Sequence, residues 1–131
     1  MKLSTNFNLD ELCVTSCGLS NRPNQDEINC LGILVKEVLQ PLRDLYGKPI
    51  HINSGFRSFL VNKAANNGKI KPSQHCKGQA VDIDNGRSEN IVLYNLIKDH
   101  FVYDQLINER DFSWIHVSFK KDANRKMLLK L

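Results

Sequence analysis

His75 and Asp82 stand seven positions apart in SQHCKGQAVDID, and a third residue of the same chemical kind, His116, follows in WIHVSF. Two imidazoles and one carboxylate are hard-to-borderline donors that suit zinc. A site built from three protein ligands leaves the fourth tetrahedral position open to water, as hydrolytic rather than structural zinc requires. A histidine beside a loop glycine is more often a hydrogen-bonding surface residue, and a single aspartate in a strand is equally ordinary. Spacing leaves open whether the three meet, because His116 lies forty-one residues beyond His75.

The elements that must carry these residues can be read from periodicity. QAVDID alternates, so Val81 and Ile83 face one way and Ala80, Asp82 and Asp84 the other. VYDQLINE and WIHVSFK, joined by the four residues Arg110 to Ser113, read as an antiparallel hairpin. Pairing Glu109 with Trp114 puts Ile107 opposite His116 and Gln105 opposite Ser118. Gln105, Glu109 and His116 then share one face, while Ile115, Val117 and Phe119 take the core face. Asp82 and His116 are thus both expected to point off the apolar side of a sheet.

Helices are expected on that apolar side. Asn24 with Glu27 reads as a capping box, and Leu31, Leu34, Val35, Val38, Leu42 and Leu45 recur at helical spacing. Pro41 should kink or interrupt this helix, and Gly47 and Pro49 end it. A short helix start is expected in NLDEL, a short strand in IHINSGFRS, a helix capped by Ser58 in SFLVNKAANNG, and a loop in KIKPSQHCKG. RSENIVLYNLIKDH reads as an amphipathic helix capped by Ser88, with Ile91, Leu93 or Tyr94, and Ile97 buried.

The chain of 131 residues, 41% apolar and without repeats or a Pro/Gly/Ser linker, is expected to be one domain spanning residues 1–131. No apolar run is long enough for a membrane span or a signal peptide, so a soluble, membrane-independent chain that starts in the cytoplasm is expected. Cys13, Cys17, Cys30 and Cys76 lack paired CxxC spacing and read as reduced thiols, Cys13 and Cys17 as small buried side chains. The net charge of +4, with Lys120, Lys121, Arg125, Lys126 and Lys130 near the C-terminus, is compatible with nucleic acid, with an anionic wall polymer, or with solubility alone.

The segments SGFRS, VN, SQHCKGQAVDI, DQLI and WIHVSF, in this order and spacing, resemble the zinc-dependent D-alanyl-D-alanine peptidase family. That family includes bacterial D,D-carboxypeptidases, vancomycin-resistance D,D-dipeptidases and phage L-alanyl-D-glutamate endopeptidases. The likeness is to the small, single-domain, phage-associated branch and covers roughly residues 7–119, with NFNLDEL and VLQPLRDLYGKPI as its lead-in. The resemblance implies an α+β fold of the Hedgehog and D,D-peptidase type, a small antiparallel sheet with packed helices. It implies one zinc ion held by His75, Asp82 and His116, with Gly78 in the tight loop between the first two. Arg57, in SGFRS, matches the arginine that reaches the substrate carbonyl and stabilises the oxyanion, and Ser73 matches a substrate-binding position.

One position departs from the family pattern. Better-studied members carry an acid three residues before the last histidine ligand, and here that residue is Ser113. Glu109 and Asp111 are the nearby acids; the hairpin register puts Glu109 on the zinc face and Asp111 in the turn, which favours Glu109 as general base. The expected activity is hydrolysis of peptidoglycan stem peptides, D-Ala-terminated or internal, by a monomer that does not engage nucleic acid. A non-catalytic zinc-binding wall-recognition domain of the same fold is the alternative, and Ser113 is the residue that favours it.

Overall fold

Asn24 opens the longest helical stretch with a reciprocal cap: its side chain accepts the Glu27 N–H at 2.8 Å, while the Glu27 carboxylate accepts the Asn24 N–H at 2.8 Å. The computed structural model describes all residues, Met1–Leu131. The helix runs as α1 (Gln25–Leu34) and α2 (Gln40–Tyr46), joined without a break by a wide π-turn, Val35–Leu39. Pro41 therefore neither ends nor interrupts it. The widened turn, closed by the Gln40 N–H on Val35 O, accommodates the missing donor and bulky ring one residue later. Leu31, Leu34, Val35, Val38, Leu39 and Leu42 are fully buried, whereas Leu45, expected in the stripe, is half exposed at the end of the helix.

Five strands form one sheet in the order β1-β2-β4-β3-β5: β1 (Ile52–Ser54), β2 (Ala80–Ile83), β3 (Gln105–Glu109), β4 (Trp114–Ser118) and β5 (Met127–Lys130). The first four pair antiparallel, as expected. The β5 strand runs parallel to β3, a pairing that a lysine-rich C-terminus did not suggest. The hairpin register is the expected one, Glu109 against Trp114 and Ile107 against His116. Its turn holds Arg110, Asp111 and Phe112 at positive φ, a conformation L-residues resist. Asn108 Oδ1 pins it by accepting the Phe112 N–H at 2.6 Å, and Asn90 Nδ2 donates to Phe112 O at 2.9 Å.

One face of the sheet carries Val81, Ile83, Leu106, Ile115 and Val117 into a core with α1, α2 and α4 (Arg87–His100). The cap of α4 is Gly86, two residues before the expected Ser88, and its buried stripe is Asn90, Leu93 and Ile97. Ile91 is exposed and Tyr94 only partly buried, because Asn90 is needed inward to hold both the Asp84 loop and the hairpin turn. Truncating Leu93 or Ile97 to alanine costs about 2–5 kcal/mol by transfer and cavity terms.

On the other side, α3 (Phe59–Ala65), capped by Ser58, precedes a single 3-10 turn, Gln74–Lys77, where a plain loop was expected. The N-terminal 3-10 turn, Glu11–Cys13, buries Leu12 against the loop after β1. All four cysteines are free; Cys17 is exposed rather than buried. No helix is long and apolar enough to cross a membrane.

Candidate metal centre

Each of the three donor residues is placed by a different device. Asp82 sits on β2 directly opposite His116 on β4, both turned away from the core because Val81, Ile83, Ile115 and Val117 claim the apolar side. His75 comes from the 3-10 turn, held by Ser73, whose Oγ accepts the His75 N–H at 3.1 Å. Gly78 ends that turn at φ 72°, backed so closely on α1 that a Cβ would lie 2.4 Å from Glu27 O. The glycine between His75 and Asp82 is therefore fixed by both conformation and space.

Gly55 performs the equivalent task on the opposite side. A Cβ there would lie 2.3 Å from Leu12 O, and its carbonyl accepts a 2.7 Å hydrogen bond from His75 Nδ1. A carbonyl can only accept, so Nδ1 carries the proton and Nε2 is left as a lone pair. That lone pair faces Asp82 Oδ1 at 3.4 Å, and His116 Nδ1 lies 3.0 Å from the same oxygen. Two buried acceptors facing each other need a cation or a proton between them.

The donor atoms of His75, Asp82 and His116 all lie within 4.8 Å of one another, and all three residues are buried. Ligands about 2.1 Å from one tetrahedral ion are about 3.4 Å apart, so the donor set and its spacing fit zinc. Burial alone would raise the Asp82 pKa; its contact with His116 and, where a proton sits between them, with His75 outweighs that and holds the carboxyl well below the usual range.

Arg57 completes the Asp82 side. Its Nη2 donates to Asp82 Oδ2 at 3.1 Å, Nε to Ser54 Oγ at 2.9 Å and Nη1 to Asn62 Oδ1 at 3.4 Å. Three of the five guanidinium N–H groups are thus engaged and two remain. Arg57, Ser73 and Glu109 all line the cleft that opens over the three donors, about 640 Å³ in volume. Only three of its nineteen lining residues are hydrophobic, which suits a polar, hydrogen-bonding ligand such as a peptide.

Glu109 is half buried on the cleft face, two residues along β3 from the Ile107–His116 pair. Asp111 is outside the cleft, exposed and 3.5 Å from Arg87 of α4. Ser113 closes the hairpin turn, its hydroxyl donating to Arg110 O at 2.7 Å.

Several cleft residues had no assigned part in the sequence reading. Asn62, buried in α3, accepts from Arg57 and donates to Lys71 O at 2.7 Å; the VN dipeptide was its only signal. Gln74, Lys77, Lys120 and Arg125 also line the cleft, gathered there by contacts remote in sequence.

A family model described as Peptidase M15 matches residues 5–118. No curated protein matches the chain. With the match extending over most of the sequence and the His75, Asp82 and His116 donors brought together at one cleft, the chain belongs to the Peptidase M15 family.

Proposed function

We propose that the chain is a zinc-dependent hydrolase of the short peptides of bacterial peptidoglycan, of D,D-carboxypeptidase or L-alanyl-D-glutamate endopeptidase type. The observation that supports this most is the His75 Nε2 lone pair, fixed by Gly55 O and aimed at Asp82 Oδ1 in a buried site that opens to a polar cleft. Zinc held by His75, Asp82 and His116 supplies Lewis acidity, polarising a peptide carbonyl and lowering the pKa of water toward neutrality.

The chain's own residues divide the rest of the work. Glu109, on the cleft face of β3, removes a proton from the attacking water and delivers it to the leaving amine. Arg57 holds Asp82 in place with one N–H and directs its two free N–H groups at the carbonyl oxygen, where negative charge develops. Ser73 keeps its hydroxyl proton free for a substrate acceptor while its oxygen holds the His75 turn. Resemblance to the phage-associated branch supports release to the wall at lysis as the route to substrate.

Ser113 favours a second reading, a zinc-binding wall-recognition domain without turnover, since it stands where the family carries an acid and here only closes a turn. Incubating the zinc-loaded chain with purified peptidoglycan, followed by mass analysis, separates the two. Loss of a single terminal residue marks a carboxypeptidase, and fragments cut within the stem mark an endopeptidase. Chelator must abolish either. Intact peptidoglycan after treatment with fully metallated protein rules out the hydrolase and leaves the binding domain.

A further inference from the structure

The loop 119–126, which follows the last residue matched by the family, folds back over one end of the cleft and contributes Lys120, Ala123 and Arg125 to its lining. Arg125 is fastened there. Its Nε donates to Asp104 Oδ1 at 2.9 Å, its Nη2 to Asp104 Oδ2 at 2.8 Å, and its backbone N–H to Oδ1 at 3.0 Å. Asp104 is fully buried and also accepts from Gln74 Nε2 at 2.9 Å. The guanidinium plane is thereby fixed, with three of its five N–H groups unpartnered. Lys77 and Lys120, exposed at the same cleft, have no carboxylate within ion-pair distance.

The position of this cluster follows from the sheet. Gln105 starts β3 next to Met127 of β5, Ile107 lies opposite His116, and Glu109 ends the strand. The Arg125 end and the Glu109 end are thus on opposite sides of the metal donors. From the Ile107 row to the Gln105 row is about 7 Å, the length of about two extended residues.

Resting on the peptidase reading, we propose that Arg125, Lys120 and Lys77 form a carboxylate subsite. It takes a free carboxylate of the substrate peptide one to two residues from the bond that is cut. A pre-oriented guanidinium recognises a carboxylate's two oxygens at once, and two unpaired ammonium groups raise the local potential for an anion. The substrate class is a peptide bearing an acid, supplied either by its C-terminus or by an acidic side chain.

The test uses the full zinc-loaded chain and four synthetic tetrapeptides: C-terminal acid or amide, each with an internal glutamate or glutamine. Fluorescence of Trp114, the only tryptophan and a cleft residue, reads binding; mass spectrometry reads cleavage. Removing the recognised carboxylate should weaken binding about tenfold and raise KM with little change in kcat, and the arm that responds identifies its source. Lys120→Gln, at an exposed position, and Arg125→Lys, which keeps a cation on Asp104 without the fork, should both narrow the difference between acid and amide. Equal binding of all four peptides, or binding of none, overturns the subsite. Cleavage of all four without preference overturns it while leaving the peptidase standing. Acid-selective binding without cleavage supports the subsite and removes the peptidase reading.

Discussion

Two buried carboxylates, Asp82 in the cleft and Asp104 outside its lining, are each gripped by an arginine that lines the cleft, and they are finished differently. Asp104 has both oxygens occupied by N–H donors from Arg125 and Gln74. Asp82 has one oxygen on Arg57, while the other faces His116 Nδ1 and the lone pair of His75 Nε2. The first group is complete within the protein, so its place is structural and, through Arg125, orienting. The second brings acceptors together and is complete only with a cation or a proton among them. Burial and an arginine partner are common to both; the identity of the remaining neighbours, donor or acceptor, separates a structural carboxylate from a candidate ligand.

The strongest way to break this contrast is at the metal donors. Asp82→Asn and His75→Ala should each abolish zinc binding and turnover, measured by elemental analysis and peptidoglycan digestion; full zinc retention in either variant removes the site. Next comes Glu109→Gln, which should lower kcat by about 10²–10⁴-fold with zinc retained, as loss of a general base does, while Asp111→Asn stays near the parent rate. Reversed results would make Asp111 the base despite its place outside the cleft. Arg57→Lys should cost about a hundredfold in kcat with zinc retained, because lysine lacks the fork that, in the proposed mechanism, spans Asp82 and the developing oxyanion.

The smallest effect sharpens the other half of the comparison. Asp104→Asn should leave zinc stoichiometry intact and cost about 1–3 kcal/mol in denaturant unfolding, since hydrogen bonds to a charged, buried group are weakened. Hydrogen bonding from Arg125 lowers the Asp104 pKa to about 2, below the about 3.9 of an unfolded aspartate. A depressed folded-state pKa means that this stabilisation is fully present above about pH 4 and disappears as pH falls toward 2. The wild-type chain should therefore lose stability across that window, and Asp104→Asn should lose less; parallel curves for the two proteins would show that the carboxylate contributes nothing there.

Local rules in the sequence were enough for much of the frame. Strict alternation in AVDI and WIHVS placed Asp82 and His116 off the core face, and a four-residue turn set the Glu109 register that the hairpin adopts. The Asn24 and Ser58 caps were equally readable, because a cap depends on neighbours three residues away. Pro41 misled because a proline forbids one hydrogen bond, not a helix, and a π-turn within the same rod absorbs it. Ile91 misled because Asn90, a polar residue, has inward partners that an isolated helix does not reveal.

By itself, then, the sequence determined the two strand faces, the helix caps and the three residue types able to hold a metal, all consequences of period and local chemistry. Only the tertiary structure decided which His75 nitrogen is free, since that depends on Gly55 O twenty residues away, and Gly55 is in turn held against Leu12. Only the tertiary structure brought Gln74, Asp104 and Arg125 to one point, turning part of a basic C-terminal tract into a fixed guanidinium at the cleft. The physical reason is the same in both cases. A hydrogen bond between distant residues exists only after the chain has closed the loops between them, and no periodicity along the sequence encodes that closure.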